Sequence, residues 1–390
     1  MERLFAFPLL GWISAMSKSL KVAFVTPYNP HSLRDWSGTP FYAYRALQRV
    51  FNEVCHIPCP IVGTFQRLAL KVGARFGVDT AREPLISTLF CREIEGRLNA
   101  CSPDIVIGLS ASVILSRLRT AAPMLHISDA TYAAMSGYYP GEFAGVSARS
   151  KRLGNAMDAA SLSRSAAAVL SSDWAAQSAR EDYQIPADRV HVLPLGANLD
   201  PDTVAVTDRQ TDKCRLFFLG VDWKRKGGDI VHEAFQCLRA RGLDVELHIA
   251  GCTAPVDGPG IYQHGFLSKG DPQQYARLKS LFSTASFLFV PSRQEAFGLV
   301  FAEASAVGLP NISTATGGIP SVVSDSVNGV LLPLSANGAH YADRIAALWS
   351  DQQVYSRMQQ ACEERFHACL SWDAWGQAVA RISGAVTARH

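Results

Sequence analysis

The chain has 390 residues, 48% apolar and 18% charged, with 37 Lys and Arg against 34 Asp and Glu. That composition is far from the low-hydrophobicity, high-charge range of disordered chains, and at ~150 residues per domain the length allows two or three packed domains. A formal charge of +3 lacks the basic excess a general nucleic-acid binder needs, so no nucleic-acid partner is expected. The mild excess belongs to the N-terminal half, where residues 1–200 carry 20 basic and 16 acidic side chains. The nine cysteines are scattered, with no C-x-x-C pair. They read as reduced thiols of a cytoplasmic protein, and no structural metal is expected.

Leu4 to Met16 is almost wholly apolar but shorter than the ~20 residues that span a bilayer. Residues 1–16 read either as an apolar leader or as a stretch upstream of a true start at Met16, whose Met-Ser-Lys-Ser-Leu-Lys leads into the first strand. Strands are expected at 21–26, 54–58, 104–108, 124–128, 167–170 and 190–193, with helices between them. Thr39-Pro40 reads as an N-cap followed by proline at N1 of the first helix. Arg67, Lys71 and Arg75 recur on one face of a helical stretch over 66–77. Such a face packs as solvated cover over a core, or docks on anionic lipid as a peripheral membrane contact. Pro194-Leu-Gly-Ala-Asn198 reads as a hinge, and the pattern then restarts with strands at 215–220, 245–250, 287–290, 311–314 and 330–332. The alternation predicts an α/β protein of two doubly wound, Rossmann-like domains with a cleft at the carboxyl ends of their strands.

The richest motif follows the strand at 287–290: Glu295-Ala-Phe-Gly298-Leu-Val-Phe-Ala-Glu303. Here a strand gives way to a loop and a helix begins near Gly298. Helix-start amides and a residue without Cβ suit a diphosphate, and carboxylates suit the vicinal hydroxyls of a sugar or ribose. Either glutamate alone would more simply be a cap or a solvated residue; the pair, with this loop between, points to a ligand. Arg225-Lys226-Gly-Gly228 follows the strand at 215–220. Elsewhere two cations in a row are an exposed charge run, but at a strand's carboxyl end they can neutralise a departing diphosphate.

Across residues 215–372, and more loosely in the first half, the sequence resembles the retaining family 4 glycosyltransferases of GT-B fold, through the E-x7-E motif Glu295–Glu303 and the basic pair Arg225 and Lys226. The resemblance implies that Glu295 contacts donor-sugar hydroxyls, that Glu303 contacts the nucleotide ribose, and that the amides of Phe297, Gly298 and Leu299 hold the diphosphate. Gly38, in Ser-Gly-Thr39, resembles the family's glycine loop near the donor phosphates. Gly265 and Phe266 resemble the turn that receives the nucleobase, and Thr316-Gly317-Gly318 a second close-approach loop. Where many members carry a histidine near the transferred sugar, this chain has Asp129, read equally as a helix N-cap and as a carboxylate beside the reacting carbon; His126 reads as a core residue. Val221 replaces an arginine of many members and Ser321 a glutamate. The implied domains are 17–197, with a C-terminal helix at 371–390 packing back onto it, and 198–370. The first holds a carbohydrate or lipid-linked acceptor and the second a UDP- or GDP-sugar, with closure across the hinge. The implied activity is hexosyl transfer without metal or other cofactor. A sugar-nucleotide epimerase and a silent sugar-nucleotide-binding scaffold share the layout.

Overall fold

The structure, a computed structural model, describes residues 19–59, 77–204 and 213–390. Residues 1–16 and the stretch expected to be a helix, with Arg67, Lys71 and Arg75, lie outside the described residues up to position 76. The chain forms two compact units. One runs up to Leu193 and includes Trp375–His390; the other is Pro194–Ala374.

The first unit is a parallel sheet of β1 (Lys21–Thr26), β2 (Glu53–Pro58), β3 (Ile105–Leu109), β4 (Met124–Ser128), β5 (Ala167–Leu170) and β6 (Val190–Val192), in the order β2-β1-β3-β4-β5-β6. The inner strands β3 and β5 are short apolar runs rather than alternating ones because both faces are covered: every residue of the two is buried. Parallel neighbours need a crossover, so each strand leads into a helix or loop, such as Thr39–Val50 after β1 and Pro84–Cys101 after β2. Thr39 is not the cap expected of it. Gly38, at φ +90°, is the N-cap, Thr39 is the first helical residue and Pro40 the second. A glycine can turn the chain left-handed there and let the proline follow at once.

The second unit repeats the plan with β7 (Cys214–Leu219), β8 (Val245–Ala250), β9 (Ile261–Gly265), β10 (Phe287–Val290), β11 (Asn311–Thr314) and β12 (Gly329–Leu332), in the order β12-β11-β10-β7-β8-β9. β9 was not expected. It is an edge strand whose Tyr262 and Gln263 are exposed, so it has neither a buried apolar run nor clean alternation to announce it.

The segment expected to be a hinge is packed. Leu195, Ala197 and Asn198 are buried, and the Ala197 amide donates to the Leu370 carbonyl at 2.8 Å. A Cβ on Gly196 would come within 2.5 Å of the Trp372 ring. The glycine therefore permits close approach rather than free rotation. All nine cysteines carry free thiols, and no helix among the described residues is long and apolar enough to cross a membrane.

Candidate active site

In a doubly wound sheet a ligand sits at the carboxyl ends of the strands, where chain order reverses. In the second unit that point lies between β7 and β10, which pair in parallel with Leu216 opposite Phe287. The loops leaving those two strands carry the basic pair and Glu295. They interlock through the backbone. The Arg293 amide donates to the Arg225 carbonyl at 2.8 Å, and the Gly318 amide donates to the Glu295 carbonyl at 3.0 Å. Three glycines make this possible. A Cβ on Gly227 (φ +76°) would lie 2.2 Å from the Pro291 carbonyl oxygen, and one on Gly318 would lie 2.0 Å from that of Ala296. One on Gly220 would meet the Lys226 side chain at 2.8 Å. Gly220 thus clears the path by which Lys226 crosses the end of β7.

Lys226 uses that path to donate to Glu295 Oε2. The lysine and glutamate side chains are only 10% and 13% exposed, so each is the other's main compensation for leaving water. Ser292 Oγ adds a longer contact to the same carboxylate oxygen at 3.4 Å. Arg225 is placed differently. Its Nη1 donates to the Gln294 carbonyl at 3.1 Å, and Asp222 accepts from its amide at 3.0 Å. The arginine therefore braces the loop that carries Glu295. Arg293, flagged by no motif, clasps Asp229 through two bonds of 2.8 Å and donates to the Lys224 carbonyl at 2.6 Å. Arg293 holds the Asp229 carboxyl below the usual carboxylate range. Lys224 and Val221 are exposed.

Gly298 adopts φ +94° and caps the helix Leu299–Ser305, one residue later than the expected start. Phe297 is buried beside it. Glu303, expected to face a ribose, is 2% exposed and accepts at Oε1 from Lys269. Of the E-x7-E pair Glu303 is thus buried and Glu295 partly buried, each with its own lysine. Gly265 closes β9 at φ +65°, and Phe266 beyond it is 67% exposed. An open aromatic there is available to a planar ligand.

The first unit holds the other expected residues at the carboxyl ends of β1 and β4. Trp36, Ser37 and Gly38 are successively left-handed, with φ of 44°, 56° and 90°, a conformation that costs a non-glycine residue about 1–2 kcal/mol. Asp35 Oδ2 accepts from the Asn29 amide at 2.9 Å, and Trp36 packs on Tyr28 with ring centroids 5.7 Å apart. Burial, with the charges of Asp129 and Asp35, raises the Tyr28 hydroxyl above its ordinary value. Asp129 is half-buried and does not cap the next helix: Thr131 does, accepting from the Ala134 amide at 3.1 Å. His126 is a core residue, fully buried, with Nδ1 2.8 Å from Ser161 Oγ; burial lowers its pKa.

Two units, each built on a six-stranded parallel sheet covered by helices, have the GT-B fold. Sucrose-phosphate synthase from Thermosynechococcus elongatus aligns over 95% of this chain and 100% of its own, with TM-score 0.69 and 16% identity. HepE from Anabaena, solved with UDP and glucose, aligns over 93% and 99%, with TM-score 0.61 and 13% identity. At such identities the likeness is one of fold. Residues 201–365 match the family described as glycosyl transferases group 1. A D-inositol 3-phosphate glycosyltransferase of Xylanimonas cellulosilytica is 30% identical over 258 residues. The match covers 57% of this chain and 59% of that relative, so the chain spans about three fifths of its length.

Proposed function

We propose that the protein is a retaining hexosyltransferase that moves a sugar from a nucleoside-diphosphate donor, UDP- or GDP-linked, to a carbohydrate or lipid-linked acceptor. The observation that carries this reading is the Lys226–Glu295 pair at the β7–β10 switch point. It sets a cation and a hydroxyl acceptor side by side where a doubly wound sheet binds its ligand. In the reaction the bond between sugar C1 and the diphosphate breaks and a bond from C1 to an acceptor oxygen forms. The acceptor proton leaves, and negative charge grows on the departing diphosphate. Lys226, backed by Arg225 and the amides of Phe297, Gly298 and Leu299, is assigned to that charge, and Glu295 to the donor-sugar hydroxyls. Glu303 is assigned to the ribose, and Gly265 and Phe266 to the base.

In the first unit we assign Gly38 to the donor phosphates and Asp129 to the reacting centre, as the carboxylate that takes the acceptor proton or faces positive charge at C1. A carbohydrate or lipid-linked acceptor belongs with this unit, and a metal is given no role because fixed cations fill that part. The cytoplasm, where nucleotide sugars and reduced thiols coexist, is the proposed compartment. The test compares the wild type with Glu295→Gln, each with and without chelator. Transfer is expected to vanish in the variant while its circular dichroism is kept, and to persist in the wild type under chelation. Strict dependence on Mg²⁺ would overturn the metal-free mechanism, and an active variant would overturn the site.

A further inference from the structure

Glu303 is tied to a cation that no sequence motif marks. Lys269 lies in the turn between β9 and the helix Pro272–Thr284, and that turn is fixed on both sides. Asp271 caps the helix by accepting from the amides of Gln273 and Gln274 at 2.9 and 3.0 Å, and Gln274 Oε1 accepts from the Ser268 amide at 2.9 Å. The ammonium is thereby delivered to one place. It donates to Glu303 Oε1 and, at 3.0 Å, to the Asn198 carbonyl oxygen. Asn198 is fully buried and held in turn by Trp372 Nε1, which donates to its Oδ1 at 3.0 Å.

The Lys269 and Glu303 side chains are 11% and 3% exposed. A carboxylate that deep would be free to reorient without its cation, which also offsets the cost of burying its charge. With Oε1 committed to Lys269, Oε2 is the oxygen left for a ligand hydroxyl.

We propose that Lys269 is a positioning residue for nucleotide recognition: by tethering Glu303 to the Asn198 carbonyl, it sets the carboxylate that selects ribose over deoxyribose. This rests on the assignment of Glu303 to the donor ribose. Lys269 itself acts through the glutamate, so its loss is read in discrimination between nucleotides rather than in the chemical step.

The experiment is titration calorimetry of the full chain with UDP and GDP and their 2′-deoxy and 3′-deoxy forms, on the wild type, Lys269→Met, Glu303→Gln and the double variant. The wild type is expected to prefer the ribonucleotide roughly 10- to 100-fold, the value of hydrogen bonds to a charged acceptor. Lys269→Met is expected to lose most of that preference while deoxynucleotide affinity and kcat at saturating donor stay within about threefold. The double variant is expected to match Glu303→Gln alone, since the lysine has then nothing left to position. If Lys269→Met does not fold, Lys269→Gln, polar but uncharged and too short to bridge both acceptors, takes its place with the same expectation. A preference retained in the lysine variant but erased by Glu303→Gln would overturn the proposal alone. A preference untouched by Glu303→Gln would overturn the ribose assignment, and the proposal with it.

Discussion

Removing both charges of the Lys226–Glu295 pair should cost the fold far less than the two single losses together. Lys226→Met takes the cation away from the Glu295 carboxylate, which is 13% exposed and to which Ser292 Oγ adds a 3.4 Å contact; breaking such a pair by removing one partner costs about 3–5 kcal/mol. Glu295→Gln keeps an acceptor for the ammonium but removes its counter-charge, for roughly 1.5–3 kcal/mol. In the double variant neither charge is stranded, so its loss should fall short of the sum by about 1–3 kcal/mol. Urea unfolding of the four proteins at pH 7.5, with a common m-value, gives the cycle. Activity should behave in the same way. Lys226→Met should lose roughly 10²–10³ in kcat, the usual effect of removing one preorganised donor at developing charge, and Glu295→Gln should lose transfer altogether. The double variant should match Glu295→Gln. Stabilities additive to within ~0.5 kcal/mol would mean that the two groups do not act as a unit, and the reasoning that places them together at the switch point would fail.

The interlocking of the two loops makes its own demand. Gly227→Ala puts a Cβ 2.2 Å from the Pro291 carbonyl at φ +76°. It should destabilise the chain by about 2 kcal/mol or more in thermal or urea unfolding, through left-handed strain and a backbone clash together; a neutral effect would mean that the loops are not in contact. Acid should weaken the fold through His56 and His264, whose pKa values are each pushed down to about 4. Burial is the main cause for both; His31 and Arg97 add to it at His56, and His248 and Arg277 at His264. Both are neutral in the folded chain at pH values where an unfolded histidine, with a pKa of about 6.5, takes up a proton. The unfolded state thus binds more protons between pH ~6.5 and ~4, and stability falls as pH is lowered through that window. The urea midpoint should drop from pH 7.5 to pH 5, and His56→Gln with His264→Gln should flatten the profile. A wild-type midpoint unchanged or higher at pH 5 would contradict this.

Most strands were legible because a parallel sheet covered on both faces needs short, continuous apolar runs: Phe287–Val290 and Ala167–Leu170 are such runs, and all their residues are buried. β9 was not legible, since an edge strand such as Ile261–Gly265 exposes polar side chains. Missing it also hid Lys269, which follows a strand's carboxyl end and so stood where a functional residue is expected. The glycines carried a further ambiguity. In Pro194–Asn198 and in Gly227-Gly228 alike a glycine looks like freedom, but Gly196 admits Trp372 and Gly227 admits the Pro291 carbonyl. Sequence marks where a Cβ is absent, not which neighbour fills the space. Long-range pairings such as Arg293 with Asp229 have no local signature at all, because the partners are brought together only by β7 and β10 lying side by side. The Glu295 motif was readable since strand, loop and helix start are consecutive in the chain.

The most direct measurement is release of nucleoside diphosphate from a panel of UDP- and GDP-sugars by the purified chain, with product identity followed by mass spectrometry and nuclear magnetic resonance. It needs no acceptor, because a transferase slowly passes its donor sugar to water. The account predicts that one donor is hydrolysed with the anomeric configuration of the sugar retained, and that the activity is lost in Glu295→Gln. A donor returned isomerised, or a nucleotide bound tightly with no turnover of any sugar, would contradict it.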